Sequence, residues 1–83
     1  MRANLGDSHD AELPNKVRRA LYAIGATFED RQWAIGVDAY HFRIGSHALT
    51  IYSDAWTADI EGSPEAVHEF MRAYGQNTAA DSN

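Results

Sequence analysis

The segment WAIGVDAYHFRIGSHALTIYSDAWTADIEG spans residues 33–62 and alternates bulky apolar side chains with small or polar ones. A period of two is the pattern of β-strands that bury one face. Two-residue turns would divide the segment into four strands, and we expect them at Asp38-Ala39, Gly45-Ser46 and Asp54-Ala55. Glycine in the first central position suits the type II′ turn of a β-hairpin. The segment therefore predicts an antiparallel meander of four strands.

The turns also fix which residues of neighbouring strands lie opposite each other. The turn at Gly45-Ser46 places Phe42 opposite Leu49. The other two turns place Ile35 opposite Phe42 and Leu49 opposite Ile60. With this register the bulky aliphatic side chains share one face, and a slip of one residue in any hairpin would destroy that agreement. One apolar and one polar face are predicted for the sheet.

Two helices flank the strands. The first begins at Pro14, because proline has no N–H and the first helical position needs none. Its apolar residues recur at helical spacing as far as Gly25, which can adopt the left-handed conformation that ends a helix. The second helix takes Ser63 as its N-cap and is expected to end at Gly75.

These elements predict a two-layer α+β fold in the order α-β-β-β-β-α, with a four-stranded antiparallel meander and both helices on one face. Residues 26–32 either extend the first strand or form a short extra strand with Phe28 turned inward. A single domain would span residues 13–75. Residues 1–12 and residues 76–83 are polar and non-periodic, so we expect disordered tails there.

The charge of the chain narrows its possible partners. Its 83 residues include seven Lys and Arg against twelve Asp and Glu, a net charge of −5. Nucleic-acid binding needs a basic face, and the basic cluster of Lys16, Arg18 and Arg19 covers only one helical turn. We therefore expect no nucleic-acid partner.

Two further features of the composition exclude whole classes of site. The chain has no cysteine, which rules out disulfides, thiolate metal sites and thiol nucleophiles. No apolar run approaches the roughly 20 residues of a membrane span, and residues 1–12 lack the apolar core of a signal peptide. We expect a cytoplasmic protein that does not contact a membrane.

The outer, polar face of the predicted sheet is the candidate interaction surface. Small residues such as Ala34 and Gly36 leave a shallow depression on this face, and small side chains permit a second surface to approach closely. Tryptophan is enriched at the centres of protein interfaces, so we place both tryptophans, otherwise expected as partly buried core residues, at the margin of this surface. The predicted interaction residues are His41, Arg43, Thr50, Tyr52, Trp33 and Trp56.

The sequence gives less support for a catalytic site or a metal site. His41 and Asp59 share the outer face, but two strand spacings separate them by about 10 Å, and no nucleophile motif completes a site. The four histidines lie on different faces and lack the spacing of metal ligands. We therefore predict no catalytic residues, no metal site and no cofactor.

The sequence predicts a small acidic intracellular protein-interaction module that binds through the outer sheet face or an edge strand, with a homodimer as one form of this function. Among the edges, the strand at residues 33–37 is less protected than the one at residues 56–61, where Asp59 and Glu61 discourage pairing. The alternative is a small-ligand-binding or hydrolytic domain with a shallow site around His41, Arg43 and Asp59.

Overall fold

A computed structural model of the protein describes the backbone of residues 1–82 and the side chains of residues 1–75. The elements in chain order are β1 (Arg2–Asp7), α1 (Leu13–Ala23), β2 (Thr27–Ala34), β3 (Val37–Ile44), β4 (His47–Asp54), β5 (Thr57–Gly62) and α2 (Pro64–Ser82). The strands form one antiparallel sheet in the order β1-β5-β4-β3-β2. The predicted α+β class is confirmed, but the sheet has five strands and is not the predicted four-stranded meander.

The additional strand is β1, which lies within residues 1–12 and replaces most of the disordered tail predicted there. It pairs antiparallel with β5, and the Leu5 side chain is only 6% exposed. The Tyr74 hydroxyl donates a 2.7 Å hydrogen bond to the Leu5 carbonyl oxygen. Burial of Leu5 and this bond from α2 hold β1 in place.

The C-terminal helix α2 begins as predicted but continues further. The amide N–H of Ala66 donates to Ser63 Oγ at 3.3 Å, which is the expected N-cap contact. The helix then passes Gly75 and extends to Ser82, because a glycine inside a helix costs only about 1 kcal/mol relative to alanine. The side chains of the predicted tail at residues 76–83 lie outside the described residues.

The central hairpin has the predicted register. Tyr40 lies opposite Ile51 and Phe42 lies opposite Leu49 across β3 and β4. Gly45, at the first turn position, has a φ of 57°, as the type II′ turn requires. Tyr40, Phe42, Leu49 and Ile51 therefore share the inner face of the sheet, which is the face that the helices cover.

The first predicted turn, at Asp38-Ala39, is wrong. The chain turns instead at Ile35-Gly36, where Gly36 supplies a φ of 81° that other residues rarely adopt. This shift leaves Ile35 fully exposed in the turn and places Val37 on the outer face. Residues 27–34 form one continuous strand, so residues 26–32 mostly extend the first predicted strand.

The third turn is displaced by one residue, from Asp54-Ala55 to Ala55-Trp56. Asp54 stands before the turn because its carboxylate oxygen Oδ1 accepts the backbone N–H groups of Trp56 and Thr57, both at 2.8 Å. The displacement moves the strand partner by two positions, so Ile51 lies opposite Ile60 instead of Ala58. A shift of two leaves the side chains of β5 on their predicted faces, while Trp56 moves from the predicted strand into the turn.

The core lies between the two helices and the β1-β5-β4 part of the sheet. α1 packs mainly on α2 and contacts β1, while α2 packs on β4 and β5. Gly25, with a φ of 72°, follows the end of α1 as predicted. The fully buried large side chains are Phe70, Leu49, Ile60 and Val67. β2 and much of β3 extend beyond this cover.

Candidate functional site

The outer face of β2, β3 and β4 holds three of the predicted interaction residues in a polar network. His41 Nδ1 lies 3.0 Å from Thr50 Oγ1, and His41 Nε2 lies 3.2 Å from Gln32 Oε1. Arg43 Nε donates to Glu29 Oε2 at 2.9 Å. The Glu29 carboxylate raises the pKa of Arg43 through this hydrogen bond and through its charge. These side chains are therefore already paired with neighbours in the same sheet.

The other end of the outer face is organised by β1. Arg2 forms a 3.1 Å ion pair with Asp59 and lies over the ring of Tyr52, 4.8 Å from its centroid. Asn4 Nδ2 donates to Asp59 Oδ1 at 2.8 Å. Asp59 is thus held by two residues that the sequence analysis assigned to a tail. Arg2 and Asn4 were missed, although Arg2, Ala3, Asn4 and Leu5 already alternate with period two.

The three residues of the alternative shallow site have separate partners. His41 contacts Thr50 and Gln32, Arg43 contacts Glu29, and Asp59 contacts side chains of β1 and Thr57. No observation brings His41, Arg43 and Asp59 together around a common point. In the described part of the chain no group of three or more His, Asp or Glu residues is placed to hold a metal ion.

Both tryptophans project into solvent rather than into the core. Trp33 is 73% exposed and Trp56 is 75% exposed, so the expectation that they are partly buried core residues is wrong. Trp56 occupies the turn between β4 and β5. Trp33 lies on the inner side of β2, opposite Asp38 of β3. The chain turns at Ile35-Gly36, so Trp33 belongs to the edge strand, away from the strands on which the helices pack.

The inner face of β2 and β3, which the helices cover only in part, carries an aromatic cluster. The Arg31 guanidinium lies 5.1 Å from the Trp33 ring centroid and 5.3 Å from that of Tyr40, and it forms a 3.2 Å ion pair with Asp38. Further along, Phe28 meets Phe42 edge to face at 5.5 Å. Sequence reasoning missed Arg31 because its role depends on the register between β2 and β3.

No other strand of the described residues pairs with the outer edge of β2. All eight residues of β2 are exposed. The backbone N–H of Arg31 donates to the side chain of Asp30 at 2.8 Å rather than to β3, which shows that this N–H points to the edge. The hydrogen-bonding direction alternates along an antiparallel strand, so the backbone groups of Trp33 point the same way.

Comparisons with known proteins add no family to these observations, because no family model, curated protein or solved structure matches this chain. Among the described residues no helix combines the length and the apolar character needed to cross a membrane. The candidate site is therefore defined by geometry alone: an exposed edge strand whose inner side carries uncovered aromatic residues.

Proposed function

We propose that this protein is a protein-interaction module that pairs through the free edge of β2 with the same edge of a second copy, forming a homodimer. The observation that supports this function is the exposure of all eight residues of β2 beside the uncovered aromatic rings of the inner face. Long exposed edge strands with apolar neighbours are sites of strand addition.

The backbone supplies the hydrogen bonds of such a dimer. Arg31 and Trp33 direct their N–H and C=O groups outward, so a second strand could pair with both. The N–H of Arg31 is occupied by the exposed Asp30 carboxylate, and the incoming strand would displace that contact. Since this hydrogen bond is exposed, water already competes for it, and its loss costs little.

Symmetry selects one register for the two β2 strands. A two-fold axis perpendicular to the sheet keeps the inner faces of both copies on the same side. Centring the axis on Arg31 or Asp30 would oppose like charges directly across it. Centring it on Gln32 instead places Arg31 opposite Trp33 of the second copy, which repeats between chains the cation–π contact present within each chain.

The outer face is a weaker candidate for the same function. Its charged side chains, including Arg43, Asp59 and Arg2, already have partners of opposite charge within the chain. Binding through that face would exchange these contacts for new ones, whereas the β2 edge offers backbone groups that no other strand uses. The edge version of the interaction module is therefore the one we adopt.

A cysteine substitution tests the dimer and its register together. In the proposed register Gln32 and its copy form a non-hydrogen-bonded pair with Cα atoms about 4.5 Å apart, which is within reach of a disulfide. The chain has no other cysteine. We expect Gln32→Cys to form a covalent dimer under mild oxidation, as seen on a non-reducing gel.

The matched control is Ala34→Cys, which lies on the same face of the same strand and is also exposed. In the proposed register Ala34 lies opposite Asp30 of the second copy, far from its own counterpart. Ala34→Cys should therefore stay monomeric on the gel. Equal cross-linking of both variants, or none with Gln32→Cys, would contradict the proposal.

A further inference from the structure

An apolar groove of about 400 Å³ lies between α1 and the part of the sheet that the helices leave uncovered. One wall is the side of α1 that carries Val17 and Leu21, the other wall is Tyr40 and Phe42 on β3, and the floor is Ile51. The floor and the α1 wall are buried, whereas Tyr40 and Phe42 are half-buried. The groove is thus formed by core residues that open to solvent on one side.

Two arginines near this groove differ in their partners. Arg31 does not line the groove but lies over the ring of Tyr40, and it is neutralised by Asp38 at 3.2 Å. Arg18, on the α1 rim, is exposed and has no ion-pair partner among the described residues. Tyr40 and Ser53 contribute hydroxyl groups to the lining as well. The groove therefore combines an apolar interior with one unpaired positive charge at its mouth.

We propose that this groove binds an amphipathic monocarboxylate, with its hydrocarbon chain along the apolar interior and its carboxylate paired with Arg18. The volume falls within the roughly 300–1,000 Å³ of small-molecule sites, which are mostly apolar with a few polar groups that fix orientation. Arg18 selects an anionic head because a carboxylate can accept two of its N–H donors. The groove lies on the inner face of the sheet, whereas Gln32, at the axis of the proposed dimer, lies on the outer face. The ligand proposal therefore does not depend on the dimer.

Decanoate below its micelle concentration is a suitable probe, with decanol as the uncharged molecule of the same chain length. We expect saturable binding of decanoate by calorimetry. We also expect amide chemical-shift changes at Val17, Phe42 and Ile51 rather than on the outer face. The Arg18→Gln variant should bind decanoate about three- to tenfold more weakly, since an exposed charge-assisted contact contributes on the order of 1 kcal/mol.

The matched control is Arg19→Gln, which removes the same charge from the same exposed helix turn but does not line the groove. It should leave decanoate affinity unchanged, and decanol should bind Arg18→Gln as well as it binds the native protein. A second variant, Ser53→Leu, introduces a larger side chain into the groove. It should weaken the binding of both decanoate and decanol, while its amide spectrum still shows a folded protein. Absence of saturable decanoate binding, or equal losses for Arg18→Gln and Arg19→Gln, would overturn the proposal.

Discussion

Tyr74 connects the C-terminal helix to the N-terminal strand. Its ring stacks on Phe70 at 5.7 Å, and its hydroxyl donates to the backbone of Leu5. Burial raises the pKa of Tyr74 above its ordinary value, and the negative charge of Asp10 adds to this effect. The folded state therefore favours the protonated phenol, which is also the form that can donate the hydrogen bond.

The Tyr74→Phe variant tests this connection. At pH 7 we expect it to lower the free energy of unfolding by about 1 kcal/mol, the usual net contribution of one hydrogen bond. Because the folded pKa is raised, the native protein loses stability as the pH rises past the unfolded tyrosine pKa of about 10. Urea unfolding between pH 7 and pH 11 should show a smaller loss for the variant. Equal losses would mean that Tyr74 does not contribute to the alkaline instability.

The stability that Asp54 contributes depends on pH in the opposite direction to that of Tyr74. The N–H groups of Thr57 and Trp56 stabilise its carboxylate, which lowers the pKa of Asp54 in the folded state. The stability that this carboxylate provides is complete above the unfolded aspartate pKa and is lost as the pH falls through the lower folded value.

We expect Asp54→Asn to have a lower melting temperature than the native protein at pH 6, because a neutral amide accepts the two N–H groups more weakly. The difference should shrink as the pH falls below the ordinary aspartate pKa and the native carboxyl becomes protonated. Thermal unfolding followed by circular dichroism measures both curves. A difference that stays constant over this range would show that the charge of Asp54 is not what stabilises the turn.

At the scale of the elements, α2 offers a direct comparison between sequence pattern and structure. A glycine that ends a helix adopts a positive φ, in which alanine is strained. Four other glycines have positive φ values, but Gly75 does not, and among the described residues nothing outside its own helix backbone lies within 4 Å of a Cβ placed there.

The Gly75→Ala variant tests whether α2 continues through Gly75 or ends at it. If α2 continues through this position, alanine should raise the free energy of unfolding by about 0.5–1 kcal/mol and increase the helical signal in circular dichroism. Gly25→Ala is the matched control, because Gly25 has a φ of 72° and also has open space around it. Alanine should destabilise at Gly25. Destabilisation at both positions would place the end of α2 at Gly75.

Short sequence patterns correctly predicted those elements whose structure depends on residues close together in the chain. The central hairpin, with Gly45 in its turn, and the helix start at Ser63 follow from short stretches of chain. The position of the first turn depended on whether the chain reverses at Gly36 or at Asp38. It reverses at Gly36, because glycine readily adopts the positive φ found there. β1 was missed because its support comes from distant residues, since Leu5 meets Tyr74 and Asn4 meets Asp59.

The candidate site could be predicted only in part for the same reason. His41, Arg43, Thr50 and Tyr52 lie on the outer face because the β3–β4 register followed from sequence. The position of Trp33 required the β2–β3 register, which the displaced turn changed. The groove beside Arg18 depends on the path of α1 from one edge of the sheet toward the other, and no local pattern specifies that path.

At the scale of the whole molecule, the sheet has two edge strands, β1 and β2, and the helices cover them differently. β1 covers the edge of β5, and the two helices cover the inner face of β1, β5 and β4. β2 stands at the opposite end of the sheet with its eight residues exposed. The helices therefore cover the inner face beside one edge strand and leave it open beside the other, and we assign the proposed function to the open side, at β2.

Sedimentation equilibrium over a concentration series measures pairing through β2 most directly. We expect a reversible monomer–dimer equilibrium for the native protein. The Trp33→Lys variant should dimerise about tenfold more weakly, because the two-fold axis repeats each lost Arg31–Trp33 contact and the new lysine opposes Arg31. Trp56→Lys is the matched control, with an equally exposed tryptophan in a distant turn, and it should dimerise like the native protein. A native protein that stays monomeric at every concentration, or equal weakening by both substitutions, would contradict the assignment.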